Sequence, residues 1–178
     1  AEHVVVKETA LALKPPEIGF VAAAALPQAG LLAVQGLAGV AVAKHHRVLV
    51  NGGGGGVGTL AIQLARLAGA EVTAVDNGAK LDGMRAAGAD HVLDYSRADF
   101  TATDVRYDHI LDVVANRPLR HFARALAPGG GLAVIGGTPG TLLKVATIGP
   151  LLGLATGTSL RLVIHRPKID ELERLGAL

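Results

Sequence analysis

The sequence predicts a doubly wound parallel α/β sheet, and three observations point to it. From Arg47 onward, six short β-type runs alternate with helical stretches, a rhythm that lays successive strands parallel with a crossover helix between them. Half of the 178 residues are hydrophobic but only 3% are aromatic, so the core is built from Ala, Val, Leu and Ile, which suits strands buried on both faces. Five consecutive glycines, Gly52–Gly56, follow the first of the six runs, where such a sheet turns from strand into helix. The expected strand order is 3-2-1-4-5-6.

The elements follow in order. His3–Lys7 reads as a short strand and Phe20–Val42 as mainly helical. Arg47–Asn51 is a strand. Val57–Ala68 is a helix, because Leu60, Ala61, Leu64, Ala65 and Ala68 fall on one face. Glu71–Asp76 is the second strand, and Lys80–Ala87 is a helix capped by Gly88. His91–Asp94 and Tyr107–Val114 are strands three and four. Arg117–Leu126 is a helix stopped by Pro128 and Gly129, and Gly131–Gly136 is the fifth strand. Thr141–Leu154 reads as a loose helix broken at Gly149–Pro150, Leu160–Ile164 as the sixth strand and Lys168–Leu175 as a final helix. The length suits one α/β domain.

Composition narrows the function. Seventeen basic residues face fifteen acidic ones, with no dense basic run interleaved with aromatics, so nucleic acid is not an expected partner. The chain has no cysteine, which excludes disulfides and thiolate metal sites within it and fits a reducing cytoplasm. Residues 1–7 lack the pattern of a signal peptide. The apolar run Phe20–Ala43 is interrupted by Pro27, Gln28, Gln35 and glycines, and reads as a buried amphipathic helix rather than a membrane span.

The motif that carries chemistry is the glycine loop. Gly53, Gly55 and Gly58 stand in the G-x-G-x-x-G register between a strand and a helix, the context that gives this pattern meaning for a dinucleotide such as NAD or NADP. Gly53 is expected to permit the tight turn, Gly55 to let the backbone approach a pyrophosphate, and Gly58 to pack the helix against the strand. Free N–H groups at the helix start, around Gly56 and Val57, then face the anion. Asp76 ends the second strand at a spacing suited to the adenosine ribose, although a turn residue before Asn77-Gly78 would look the same. Lys80 and Tyr95 are placed to hold a 2′-phosphate. Asp76 opposes that phosphate and Lys80 favours it, so the choice between NAD and NADP stays open. Ligands lie at the carboxyl ends of the strands, which brings Val113, Val114, Ile135 and Gly136 toward the nicotinamide side; plain core is the competing role for Val113 and Ile135. None of the seven histidines has a recognisable catalytic partner. His45-His46 reads as a helix-end cap, His121 as a surface residue and His165 as a strand end.

The stretch RVLVNGGGGGVGTLAIQLARLAGAEVTAVD resembles the cofactor-binding core of the medium-chain dehydrogenase/reductase superfamily, in its quinone-oxidoreductase branch. GADHVLDYSRADF, YDHILDVVAN and RALAPGGGLAVIGG resemble the next three blocks in order. AEHVVVKETALALKP and AAAALPQAGLLAVQGL resemble the end of the catalytic domain and the first helix of the cofactor domain. The resemblance implies a Rossmann domain over residues 20–178, preceded in residues 1–19 by the remnant of a GroES-like catalytic domain. It also implies zinc-independent hydride transfer from NADH or NADPH to a quinone or an enone, or alcohol dehydrogenase-like chemistry, by an enzyme about twice this length. Two departures stand out: Leu32 where the family often has Thr, and His45-His46 just before the first Rossmann strand.

Two rivals remain. An S-adenosylmethionine-dependent methyltransferase also pairs a glycine loop with an acidic residue such as Asp76. A non-enzymatic dinucleotide-binding or dimerisation module needs no catalytic half. A short-chain reductase fits poorly, since neither Tyr95 nor Tyr107 has a lysine four residues on. The apolar run Leu160–Ile164, at the sheet edge, invites strand pairing with a second copy, and the resemblance implies such a homodimer.

Overall fold

The computed structural model describes residues 2–39 and 41–177. Ala1 and Leu178, at the ends of the two expected domains, and Val40, inside the expected helical stretch Phe20–Val42, lie outside the described residues. Six parallel strands form one sheet: β1 (Arg47–Asn51), β2 (Glu71–Asp76), β3 (His91–Asp94), β4 (Tyr107–Asp112), β5 (Leu126–Val134) and β6 (Ser159–Leu162). Their order is β3-β2-β1-β4-β5-β6, as the alternation implied. The helices are α1 (Phe20–Leu37), α2 (Gly56–Leu67), α3 (Leu81–Ala86), α4 (Leu119–Ala125), α5 (Pro139–Thr156) and α6 (Ile169–Gly176).

Side chains of a strand alternate between faces, and the core divides accordingly. Val48, Val50, Val72, Ala74, Leu111 and Ala133 point to one side, against Ala33 and Leu37 of α1, Ala61, Ile62 and Ala65 of α2 and Met84 of α3. Leu49, Val75, Ile110, Leu132 and Val134 point to the other, against Phe122 and Ala125 of α4 and Val145 of α5. Phe100, from the loop after β3, completes that side, its ring centroid 6.0 Å from that of Phe122. α6 packs on α1.

Register matters for function because it fixes what gathers at the carboxyl edge. Asn51 of β1 stands beside Val75 of β2 and Asp112 of β4, and Asp112 stands beside Val134 of β5. One side of β1 therefore ends at the glycine loop with β2 and Asp76 next to it, while Asp112 and the β4 turn close the other.

Five expectations change. His3–Lys7 is extended and largely exposed but not a strand; among the described residues no strand lies alongside to supply its ladder. α1 stops at Leu37, where Arg161 from β6 and His109 from β4 supply donors to its last carbonyls. β4 ends at Asp112 because its side chain accepts the N–H groups of Val114 and Ala115, turning the chain. β5 begins already at Leu126: Tyr107 faces Leu126 and His109 faces Gly131, so the Pro128-Gly129 segment bulges out within the strand instead of preceding it. α5 runs unbroken through Pro150, because Val145, Gly149 and Gly153, spaced four apart, press one face onto β6. Packing there outweighs the lost hydrogen bond of an internal proline.

α1 has the length and apolar composition of a membrane-crossing helix. Its Gly30, Leu31, Ala33, Gly36 and Leu37 are nevertheless buried inside the domain.

Candidate functional site

The carboxyl edge of β1, β2 and β4 opens into a cleft of about 530 Å³ lined by Asn51, Gly52, Gly55, Val75, Asp76, Asn77, Lys80, Tyr95, Val113, Val114, Asn116 and Arg117. Its floor is the glycine loop. Gly52 takes φ +88°, a left-handed conformation that glycine adopts without strain, so the sharp turn is made by Gly52 and not by Gly53. Gly53 is a glycine for a different reason: a Cβ there would stand 2.8 Å from Met84 Sδ and 2.9 Å from Ala74 Cβ. At Gly58 a Cβ would collide with the Gly52 carbonyl and lie 2.6 Å from Gly53 Cα, so α2 packs directly on the loop. Gly55 and Gly56 are open: an added Cβ would meet only the Gly52 oxygen at 3.5 Å from the first and only Ala29 Cβ at 3.8 Å from the second.

α2 begins at Gly56, and no side chain caps it. Thr59 N–H donates to the Gly55 carbonyl, which leaves the N–H groups of Gly56, Val57 and Gly58 as those a helix start cannot satisfy internally. Three unsatisfied donors at the positive end of a helix, beside an open glycine, make a cradle for a phosphate-type anion.

Asp76 closes the far side. Its Oδ2 accepts Gly54 N–H at 3.0 Å and its Oδ1 accepts Asn77 N–H at 2.8 Å, so the carboxylate is fixed to the loop. Lys80 Nζ lies 3.2 Å from Oδ1 and 3.3 Å from Oδ2. Tyr95 stands above with its ring exposed, its backbone N–H donating to the Asp76 carbonyl at 3.1 Å. Arg117 is tied away at 2.9 Å from Asp99, its guanidinium 4.9 Å from the centroid of the Phe100 ring.

Underneath lies a buried polar joint. Asn51 Nδ2 donates to Asp112 Oδ1 at 2.8 Å, and the same oxygen accepts the N–H groups of Val114 and Ala115. Burial pushes the Asp112 carboxyl up from its ordinary range, against the pull of those hydrogen bonds. The joint sets the end of β1 against the turn after β4, where Ala115 takes φ +54°. Thus one carboxylate holds together the two loops that form the cleft.

Of the residues expected at a site, Gly55, Asp76, Lys80, Tyr95 and Val113 converge on the cleft. Gly53, Gly56, Val57 and Gly58 form the loop and helix start beneath. Gly136, at φ +81°, is not part of the cleft lining but lies beside the turn after β4, where an added Cβ would sit 3.8 Å from the Val113 carbonyl. Ile135 does not join them: it is buried in the core below α1, next to Gly36. Sequence reasoning missed Asp112, Asn116 and Arg117. Asp112 carried no local signal of its own, because β4 also holds Asp108 and His109.

Fold and cleft together define a class, a Rossmann-type cofactor-binding domain. The comparisons with known proteins make this specific. A family model described as zinc-binding dehydrogenase matches residues 56–166, and the chain belongs to that family, of the medium-chain dehydrogenase/reductase type. A 2-methylene-furan-3-one reductase of Solanum lycopersicum is 34% identical over 157 residues, covering 85% of this chain and 40% of its own. The quinone oxidoreductase of Coxiella burnetii superposes with a TM-score of 0.82 at 29% identity, over 93% of this chain and 50% of that one. That of Thermus thermophilus, solved also in complex with NADPH, gives 0.79 at 27% identity, over 99% and 58%. The chain thus spans about half the length of these relatives.

Proposed function

We propose that this chain is the cofactor-binding part of a zinc-independent oxidoreductase that uses NADH or NADPH to reduce a quinone or an enone. The observation that carries this reading is the glycine-lined cleft: an open Gly55, three free N–H groups at the start of α2, and Asp76 across from them. The pyrophosphate of a dinucleotide fits the cradle, its adenosine ribose fits the Asp76 side, and Val113 with Gly136 flanks the path toward the nicotinamide. The bound group would supply a hydride; the chain's own residues bind it, orient it and shield one side of it.

Residues 1–19 belong, in this reading, to the end of a preceding catalytic domain, and 20–178 form the cofactor domain. The relatives are about twice as long as the part of them that this chain covers, which leaves room in them for a catalytic domain. The absence of cysteine supports zinc-independence, since no thiolate ligand is available from this chain, and suits a reducing cytoplasm. A homodimer through the edge strand β6 completes the proposal.

The test is a fluorescence titration of the 178-residue chain with NADH and NADPH, and with S-adenosylmethionine as the competing ligand. Saturable dinucleotide binding is expected. Gly55→Ala, whose Cβ would meet only the Gly52 oxygen at 3.5 Å, should fold normally, and Gly55→Val, which fills more of the cradle, should bind at least about tenfold more weakly. Binding of S-adenosylmethionine alone would replace this reading with a methyltransferase. Steady oxidation of NADH or NADPH by a quinone on this chain alone would show that it needs no catalytic half.

A further inference from the structure

The turn after β4 is held in a conformation its own residues do not favour. Ala115 takes φ +54°, a left-handed geometry that glycine adopts freely and a residue with a Cβ does not. Its methyl group offers no hydrogen bond to keep it there. The restraint comes from Asp112, whose Oδ1 accepts Ala115 N–H at 3.0 Å and Val114 N–H at 3.2 Å. The same oxygen accepts Asn51 Nδ2 at 2.8 Å, from the end of β1. Asp112 is fully buried, and its Oδ2 has no partner among the described residues. All its hydrogen bonds therefore go to this turn and to β1. Filling space is a poor reason for an acid at such a position, because an apolar side chain fills it without the cost of burying a carboxyl group.

The turn is wedged between two glycine segments. A Cβ on Gly52 would stand 3.0 Å from Val114 Cγ2 and 3.2 Å from Val113 Cβ, and one on Gly137 would stand 2.8 Å from Ala115 Cβ. Val113 and Val114 also line the cleft, whereas Asp112 does not. Gly52 in turn accepts Gly55 N–H at 3.2 Å, so its position is passed on to the open glycine of the phosphate cradle. A shift of the turn moves the apolar wall of the cleft and the glycine loop together.

We infer that Asp112 is a positioning residue for the dinucleotide, its Oδ1 clamping the strained Val113–Ala115 turn against the glycine loop. The inference rests on the dinucleotide reading above. Asp112 is closed off from the cleft, and its effect passes through Val113, Val114 and Gly52. A clamp on a strained residue has a consequence that plain packing lacks: Ala115→Gly, which reaches the left-handed region unaided, should partly replace the carboxylate.

The experiment is equilibrium binding of NADH and NADPH to the 178-residue chain, with amide hydrogen exchange followed on the free chain. Asp112→Ala should weaken both dinucleotides by about tenfold and speed exchange at Val114 and Ala115. Asp112→Leu, which fills the space without an acceptor, should do the same and serves if the alanine variant fails to fold. Asp112→Asn keeps an oxygen in the place of Oδ1 and should stay within about threefold of the wild type. Ala115→Gly added to Asp112→Ala or to Asp112→Leu should recover part of the lost affinity. Val145→Ala, in the core under α5, is the control for stability alone: it should lower the melting temperature and leave dinucleotide affinity unchanged. Wild-type affinity in Asp112→Ala or Asp112→Leu overturns the positioning role and leaves the dinucleotide reading standing. So does an affinity lost equally in Asp112→Asn with no recovery from Ala115→Gly. A wild-type chain that binds neither dinucleotide overturns that reading, and the positioning role with it.

Discussion

His109 and Asp112 lie on one strand, both fully buried, and each keeps one atom without a hydrogen-bond partner. The imidazole donates from Nε2 to the Gly36 carbonyl at 3.0 Å, anchoring the end of α1 to β4. Burial holds its pKa down, at about 4 against an ordinary 6.5. The folded chain therefore keeps His109 neutral where the unfolded chain would protonate it. Stability is intact above about pH 6.5 and falls as the pH drops through the window from 6.5 to 4, by up to about 3 kcal/mol for this group. His109→Leu removes the titrating group and leaves the Gly36 carbonyl satisfied by Arg161. Its urea midpoint should therefore fall less steeply than the wild type's across that window, and parallel pH profiles of the two chains would contradict this. Neither residue's role was visible in YDHILDVVAN, which reads as an apolar strand with polar interruptions. Only the register, which brings Asn51 beside Asp112, shows why an acid belongs there.

At the scale of elements, what could be read from the sequence depended on whether local and tertiary preferences agreed. β1, the glycine loop, α2 and β2 were legible nearly to the residue, because alternation, helical spacing and glycine punctuation all pointed the same way. The Asp76 side of the cleft followed from them. α5 was misread as broken, because Pro150 is a local signal while the glycines that seat the helix on β6 act only in three dimensions. Likewise, nothing local in LAPGGGLAV shows that a strand can begin before its own proline and bulge around it. Pro150 is exposed and inside a continuous helix, so it costs stability and contributes no packing that the structure displays. Pro150→Ala should raise stability by about 1–3 kcal/mol, seen as a higher melting temperature with the dinucleotide affinity unchanged. A lower melting temperature would mean that the proline shapes the helix's fit to β6.

For the molecule as a whole, both sheet edges, β3 and β6, lack a further strand among the described residues, and the β6 edge is the one flanked by exposed apolar side chains of α5. β6 pairs with β5 on one side, and among the described residues no strand pairs with the other. A free edge of this kind is a template for another chain. α5, which packs on β6, leaves Leu143, Leu151 and Leu154 mostly exposed, and Ile164 just beyond the strand is exposed as well. Large apolar side chains grouped on the element beside a bare edge argue for burial against a second copy, with β6 meeting β6 about a two-fold axis and α5 flanking it. Sedimentation equilibrium at micromolar concentration should give twice the 18.1 kDa chain mass. Paired substitutions Leu151→Glu and Leu154→Glu should shift the mass toward the monomer without lowering dinucleotide affinity, since the cleft lies at the carboxyl ends of β1, β2 and β4, away from this edge. A monomeric mass at every concentration would mean that this apolar surface is covered by something other than a copy of the same chain.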